Sequence, residues 1–291
     1  MKNKNQFSRI ISGTMTWGPW GKQLSTREMA SLIQQCFEMG ITTFDHADIY
    51  GGYTMEAAFG KAFAESSIER EQLQFITKCG IQYVCEAREN KVKHYNYGKD
   101  YIIWSAERSL RELQTEYLDL FLLHRPSPLM HPEEVAAALG ELMQSGKVRS
   151  FGVSNFTPSQ IALIEKEIPV SGNQVEFSLT AHSVMFDGTL DDMLLNDRML
   201  MSWSPLGSYF REKNEQRKRI KKALKPLRKK YNASPSQLLL AWILKHPARA
   251  YPVVGTTNPE RLNESMEAVE LEMELEDWFA LLTASQGHKV P

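Results

Sequence analysis

The sequence predicts an α/β protein, a (β/α)8 TIM barrel running as one domain over residues 1–291, with extended loops at the C-terminal face and a closing C-terminal helix. Short apolar runs alternate with amphipathic segments of helical period from one end of the chain to the other, as repeated βα units on a parallel sheet require. Eight such runs can be counted, and no Pro/Ser/Gly-rich linker divides them. The GxGxxG turn of an open doubly wound sheet is absent, which favours closure into a barrel.

The first strand covers Arg9 to Ser12 and passes into Gly13 and Thr14. Thr26 to Met39 follows as a helix, because Met29, Leu32, Ile33, Cys36 and Phe37 share one stripe and Gly40 stops it. The second strand runs from Ile41 to Asp45 and the third from Leu73 to Lys78. Cys79 to Lys99 then exceeds the ~2–6 residues usual between a barrel strand and its helix. Loops on that face build the sites of barrel enzymes, so this one, with Tyr83, His94, Tyr95 and Tyr97, is expected to cover substrate or cofactor. The fourth strand is Leu118 to His124, and Pro132 opens the next helix where its missing N–H has no bond to make. Ser150 to Val153 is the fifth strand, after which Thr157 caps a helix that begins at Pro158. The sixth strand is Gly172 to Phe177 and the seventh Leu200 to Trp203, followed by a second long loop from Ser204 to about Glu215. Lysine and arginine crowd the stretch from Arg217 to Lys230, which reads as a solvated helix face. Pro235 starts a further helix, Tyr251 to Val254 is the eighth strand, and Pro259 starts the helix after it. Beyond Val269, Leu271, Leu275, Trp278 and Leu282 form the apolar stripe of a helix expected to pack outside the barrel.

Composition narrows the function. A net charge of -1 gives the chain no overall attraction to nucleic acid or an anionic membrane. Cys36, Cys79 and Cys85 are too few for a disulfide framework and lack metal-ligand spacing, which suits a reducing compartment. The N-terminal stretch has no apolar core of a secretion signal, and no run approaches the ~18 apolar residues of a membrane helix. The expected address is cytoplasmic, the expected partner a small carbonyl or alcohol, with no nucleic acid and no membrane. Oligomeric state is not readable.

Almost every predicted strand is apolar until its last residue or the first loop residue, where it turns polar: Asp45, Lys78, His124, Ser154 with Asn155, and Thr256 with Thr257. Barrel enzymes carry their chemistry at these ends. Residues two apart on a strand share a face, which groups Asp45 with Thr43, Lys78 with Ile76, and His124 with Leu122. If those faces point inward, a carboxylate, an ammonium and an imidazole meet at the barrel mouth. Tyr50 follows Asp45 by five residues, and Gly51 and Gly52 permit a turn that folds its hydroxyl back over the mouth. A lysine at ~4 Å is worth roughly 4 kcal/mol to a phenolate at an effective dielectric of ~20, so the Tyr50 hydroxyl is expected to be acidified, with Asp45 keeping Lys78 charged and aimed.

With these residues the chain resembles the aldo-keto reductase superfamily. The FDHADIYGGYTMEAAFGKA segment supplies Asp45 and Tyr50, FITKCG supplies Lys78 and LDLFLLHRP supplies His124, in the family's order. The resemblance runs from about Arg9 to Ala268 and implies a (β/α)8 barrel that passes hydride between NADP(H) and a carbonyl compound. It implies that Tyr50 is the general acid/base, that Lys78 and Asp45 set its acidity, and that His124 orients the substrate oxygen. KVRSFGVSNF implies Ser154 and Asn155 at the nicotinamide carboxamide, NQVEFS adds Gln174, and LMSWSPLGSYF implies that Trp203 stacks on the ring while Ser204, Leu206 and Gly207 hold the pyrophosphate. Gly13 and Thr14 match the turn under the cofactor. At the adenosine end Gly255 stands where many relatives carry a lysine, but Thr256, Thr257 and Arg261 remain, implying NADP(H) with NAD(H) tolerated. Trp17, Trp20, Tyr53 and Tyr97 are candidates for an apolar substrate wall.

Two rival readings accompany this one. The superfamily includes channel-associated subunits that bind NADP(H), so a redox-sensing role with little turnover is the alternative; rapid reduction of an aldehyde panel separates the two. A metal-dependent hydrolase is suggested by Asp45, His46 and Asp48, but alternation turns His46 away from Asp45 and no HxH pair occurs, so no metal site is expected.

Overall fold

The computed structural model describes residues 7–291; residues 1–6, part of the stretch read for a secretion signal, lie outside them. The strands are β1 (Ile11–Gly13), β2 (Thr43–Asp45), β3 (Gln74–Cys79), β4 (Ile81–Gln82), β5 (His94–Tyr95), β6 (Leu120–Leu123), β7 (Phe151–Ser154), β8 (Gly172–Glu176), β9 (Met199–Trp203) and β10 (Tyr251–Val254). The helices are α1 (Thr26–Glu38), α2 (Met55–Ala64), α3 (Lys99–Leu113), α4 (Pro132–Gln144), α5 (Pro158–Glu165), α6 (Thr189–Leu195), α7 (Glu215–Lys230), α8 (Pro235–Leu244), α9 (Pro259–Glu267) and α10 (Leu275–Gln286).

Parallel strands covered by helices are buried on both faces, which is why these strands read as apolar runs. Eight of them close in the order β1-β10-β9-β8-β7-β6-β3-β2. Inside, Ile11, Ile76, Leu120, Leu122, Met201 and Val253 form a small apolar plug. A far larger cluster, including Phe44, Phe75, Phe121, Phe151 and Val153, fills the layer between strands and helices. The two clusters split by alternation: Ile76 is inside while Phe75 is outside, and Leu120 and Leu122 are inside while Phe121 and Leu123 are outside. The inward faces of β3 and β6 therefore lead to Lys78 and His124, as anticipated.

Local chemistry starts the helices where expected. Ser25, Thr157 and Ser234 cap α1, α5 and α8 with reciprocal bonds to Glu28, Gln160 and Gln237. Pro132, Pro158, Pro235 and Pro259 each open a helix.

Some expectations change. The fourth strand is shorter than Leu118 to His124: Leu118 makes only an isolated bridge to Val148, and His124 lies just past the end of β6, its amide bonded to the Cys79 carbonyl. The Cys79 to Lys99 segment holds an antiparallel pair, Ile81 with Tyr95 and Gln82 with His94, that folds it back on itself. Leu275 is 65% exposed at the start of α10, a turn held to Lys230 and Tyr231 by Glu274 and Asp277; Leu281 and Leu282 carry the buried face. Trp278 stacks on Trp242 with centroids 4.9 Å apart, and each indole N–H donates to the other's backbone carbonyl at 3.1 and 2.9 Å. Arg219 of α7 donates to the Ala284 and Ser285 carbonyls at the end of α10, a favourable place for a cation. Among the described residues no helix is long and apolar enough to cross a membrane.

Candidate functional site

The segment after β2 is pinned to β3 by its backbone: His46 N–H bonds Ile76 O at 2.8 Å and Asp48 N–H bonds Lys78 O at 3.0 Å. The chain then turns, Gly51 and Gly52 taking φ of 61° and 68°, values open to glycine, before α2 begins at Met55. That turn returns the Tyr50 side chain to the barrel mouth. Its hydroxyl accepts from the Lys78 ammonium at 3.2 Å.

Lys78 is fully buried, and its ammonium also reaches both Asp45 carboxylate oxygens at 2.8 Å and the His46 carbonyl at 2.7 Å. Burial alone disfavours the ammonium, but the charge of Asp45 and the contact with Tyr50 outweigh it, so Lys78 is held above its ordinary value and stays charged. Gln174 Nε2 donates to Asp45 Oδ1 at 2.8 Å and fixes the carboxylate from the far side of the barrel.

The expected acidification of Tyr50 does not occur. Burial is the larger effect and raises its pKa, Lys78 opposes it, and Asp45 adds to the rise because a carboxylate also repels a phenolate. The lysine limits the increase without reversing it, and Tyr50 keeps its proton at neutral pH. His124 lies beside it, ring centroids 6.2 Å apart and nearly perpendicular. Burial, then Lys78 and Arg125, hold His124 well below its usual pKa, so its imidazole is neutral. Its Nδ1 is buried with no hydrogen-bond partner among the described residues.

Ser154 donates to Gln174 O at 2.9 Å and accepts from Asn155 Nδ2 at 2.7 Å; Asn155 Oδ1 in turn accepts from the Trp203 indole at 2.9 Å. Ser154, Asn155, Gln174 and Trp203 are thus linked by hydrogen bonds, with Trp203 half-buried. Ser204 and Gly207 lie in the turn that follows, with positive φ and Gly207 N–H on Ser204 O at 2.7 Å, and Leu206 is half-buried between them. A side chain at Gly207 would meet Thr180 Oγ1 at 1.9 Å. Gly13 sits at the end of β1, and Thr14 is buried with its hydroxyl donating to Asp45 O and touching His46 Nδ1, both at 3.0 Å. Thr14 therefore ties the first strand end to the second. Beyond β10, Gly255 faces open space, Thr256 and Thr257 are half-buried, and Arg261 is exposed in the first turn of α9, which Asn258 caps.

The aromatic wall is corrected by burial. Trp17 is completely buried against Phe44 and Phe59, Tyr53 is spent on Ile81 O, and Tyr97 is buried with its hydroxyl on Arg125 O. Only Trp20 is available, 40% exposed, its ring 6.2 Å from Tyr50 and 5.8 Å from Tyr83. His46 points away from Asp45, packing at 4.4 Å on Phe59, and burial lowers its pKa to about 3. No group of three or more metal-ligating side chains is assembled among the described residues.

Two features escaped the sequence reading. Arg125, next to His124, reaches Ser154 Oγ at 3.4 Å and lies 5.7 Å from the Trp203 ring centre; a charge one step past a strand end was its available signal. Asp48 and Glu56 are buried behind β3, Glu56 accepting from Thr77 at 2.5 Å and Ser109 at 3.0 Å. Burial raises Asp48 to about 8 and Glu56 to about 7. The helical period aligns Glu56 with buried Phe59, Gly60 and Phe63 of α2, which would have exposed the anomaly.

Comparison with known proteins gives the family and the fold. The aldo/keto reductase family model matches residues 9–284. The uncharacterized oxidoreductase YcsN of Bacillus subtilis is 42% identical, over 98% of this chain and 97% of that protein. A 6-dehydroglucose reductase of Agrobacterium fabrum is 36% identical over 100% of this chain and 98% of its own. Among solved structures, the thermostable aldo-keto reductase Tm1743 superposes with a TM-score of 0.82 at 26% identity, covering 97% of both chains.

Proposed function

The chain belongs to the aldo/keto reductase family, whose members are oxidoreductases, and from that premise we propose that it is an NADP(H)-dependent carbonyl reductase with Tyr50 as proton donor. The observation that carries the reading is the buried Lys78 ammonium, held on both Asp45 oxygens at 2.8 Å with the Tyr50 hydroxyl at 3.2 Å. The reductase name of the Agrobacterium fabrum relative supports the direction written here.

The rim suits a dinucleotide. Trp203 offers an aromatic ring whose indole N–H is already occupied by Asn155, the left-handed turn at Ser204 and Gly207 is packed against Thr180 and Ser178, and Gly255 faces open space. The α9 N-terminus and Arg261 offer amides and a cation to the adenosine phosphate, with Thr256 and Thr257 beside them. Ser154, Asn155 and Gln174 would meet the carboxamide, and Gly13 and Thr14 the underside of the ring. When bound, the cofactor supplies a hydride to the carbonyl carbon.

The chain's own residues manage the proton. Tyr50, protonated at neutral pH, gives its proton to the carbonyl oxygen as that oxygen gains charge. The phenolate left behind lies against Lys78, whose positive charge Asp45 secures. Neutral His124 offers an N–H to the same oxygen and stabilises the developing alkoxide. Solvent reprotonates Tyr50; alcohol oxidation runs the same path in reverse.

Tyr50→Phe tests this. Turnover of an aldehyde should fall by roughly 10²- to 10⁴-fold, the contribution usual for a general acid, while the NADPH dissociation constant from tryptophan quenching stays near wild type. Equal loss of both would make the ring structural and refute its role. Tight cofactor binding with no turnover of any aldehyde by the wild type would leave the redox-sensing reading in its place.

A further inference from the structure

Charge at the barrel mouth does not balance. Lys78 is neutralised by Asp45, and His124 is neutral, yet a further cation reaches into the same space. Arg125 is half-buried, its guanidinium donates to the His124 carbonyl at 3.3 Å and to Ser154 Oγ at 3.4 Å, and it lies 5.7 Å from the centre of the Trp203 ring. Among the described residues it forms no salt bridge, as half-buried Arg9, Arg88, Arg217 and Arg219 form none, but of these five it is the one beside His124, Ser154 and Trp203, whereas Arg70, Arg108 and Arg198 are each paired with a carboxylate. A guanidinium held by two long neutral contacts is under-satisfied, since its planar fork is built for a carboxylate.

Its surroundings deepen the imbalance. The charge of Arg125 opposes protonation of the adjacent His124. Half-buried Glu176 ends β8, which is separated from β6 by β7, and among the described residues it forms no salt bridge with Arg125. On the β6 side the mouth is therefore a positive surface next to the proton donor.

We propose that Arg125 binds an anionic group of the substrate, so that the preferred carbonyl compounds are those bearing a carboxylate. This rests on the carbonyl-reductase reading. In the free protein the guanidinium is parked on Ser154 and the Trp203 ring; a substrate carboxylate accepts two parallel N–H bonds from it while the carbonyl faces Tyr50 and His124. Neutral aldehydes make no use of the guanidinium and depend on Trp20 and the shape of the mouth alone.

The test compares each of two aldehyde acids, succinic semialdehyde and 4-carboxybenzaldehyde, with its methyl ester, of similar shape but uncharged. For the wild type, kcat/KM should favour at least one acid over its ester by roughly 10- to 100-fold, the range of a charge-assisted bond, and the preference should shrink as salt rises. Arg125→Gln should bring that ratio close to one, mostly through KM, and Arg125→Lys should restore part of it. Turnover of the esters by each variant reports whether it is folded. Ratios at or below one for both pairs in the wild type overturn the proposal while leaving the reductase reading intact. So does an Arg125→Gln variant that loses acid and ester equally and binds NADPH more weakly, which would assign the guanidinium to the cofactor. Failure of the wild type to reduce any acid, ester or simple aldehyde with either nicotinamide would sink the underlying reading, and this inference with it.

Discussion

Replacing Asp48 by Asn should stabilise the protein increasingly as pH rises. The Asp48 carboxyl is 3% exposed; among the described residues its Oδ1 has no hydrogen-bond partner and its Oδ2 accepts long contacts, 3.4 Å each, from Tyr101 and Ser105. Burial first, and the charge of Glu56 second, raise it to about 8, against about 4 for a free carboxyl. A carboxyl whose folded pKa lies above its unfolded value holds its proton more tightly in the folded state. Its contribution is therefore fully present below about pH 4 and is lost as pH climbs through 8. At ~1.4 kcal/mol per pH unit the ceiling is about 6 kcal/mol, and water entering the site as the group ionises lowers that. Glu56, raised to about 7, acts with the same sign over a narrower window. Urea unfolding of wild type and Asp48→Asn at pH 5, 7 and 9 measures the difference. An unsatisfied amide would shift all three values alike, so the diagnostic quantity is the change with pH, expected to favour the variant by roughly 2 to 4 kcal/mol between the extremes. A difference independent of pH would refute the reasoning.

Other expectations follow from the same side chains. Lys78→Met strands a buried carboxylate and should cost about 3 to 5 kcal/mol; adding Asp45→Asn should restore the urea midpoint but not turnover, because the cation next to Tyr50 is still missing. Since burial keeps Tyr50 protonated and His124 neutral, kcat/KM for reduction should be flat from about pH 6 to pH 9, and a titration near the ordinary histidine value would contradict this assignment. Arg261→Ala should raise KM for NADPH roughly tenfold and leave NADH nearly unaffected; equal effects on both would remove Arg261 from the 2′-phosphate.

The barrel was legible because its eight strands are largely buried on both faces and α1, α5, α7, α8 and α9 open on side-chain caps, so pattern and punctuation agree around most of the barrel. Strand alternation also brought Asp45, Lys78 and His124 to one end, and the glycine pair returned Tyr50 to them. Environment was harder to read. Trp17, Tyr53 and Tyr97 look like a ligand wall in sequence, but only the packing of Phe44 and Phe59, Ile81 and Arg125 around them reveals three buried side chains. The direction of the Tyr50 shift depends on how much water the fold removes, a quantity that spacing does not encode. The β4–β5 pair escaped because two-residue strands are too short to show alternation.

The most direct test is the fate of the transferred hydrogen. With NADPH deuterated at the transferring position of its nicotinamide and an aldehyde in ordinary water, the label should appear on the carbinol carbon of the alcohol, and Tyr50→Phe should suppress its formation. An unlabelled alcohol, or labelled product formed as fast by the phenylalanine variant, would contradict the account.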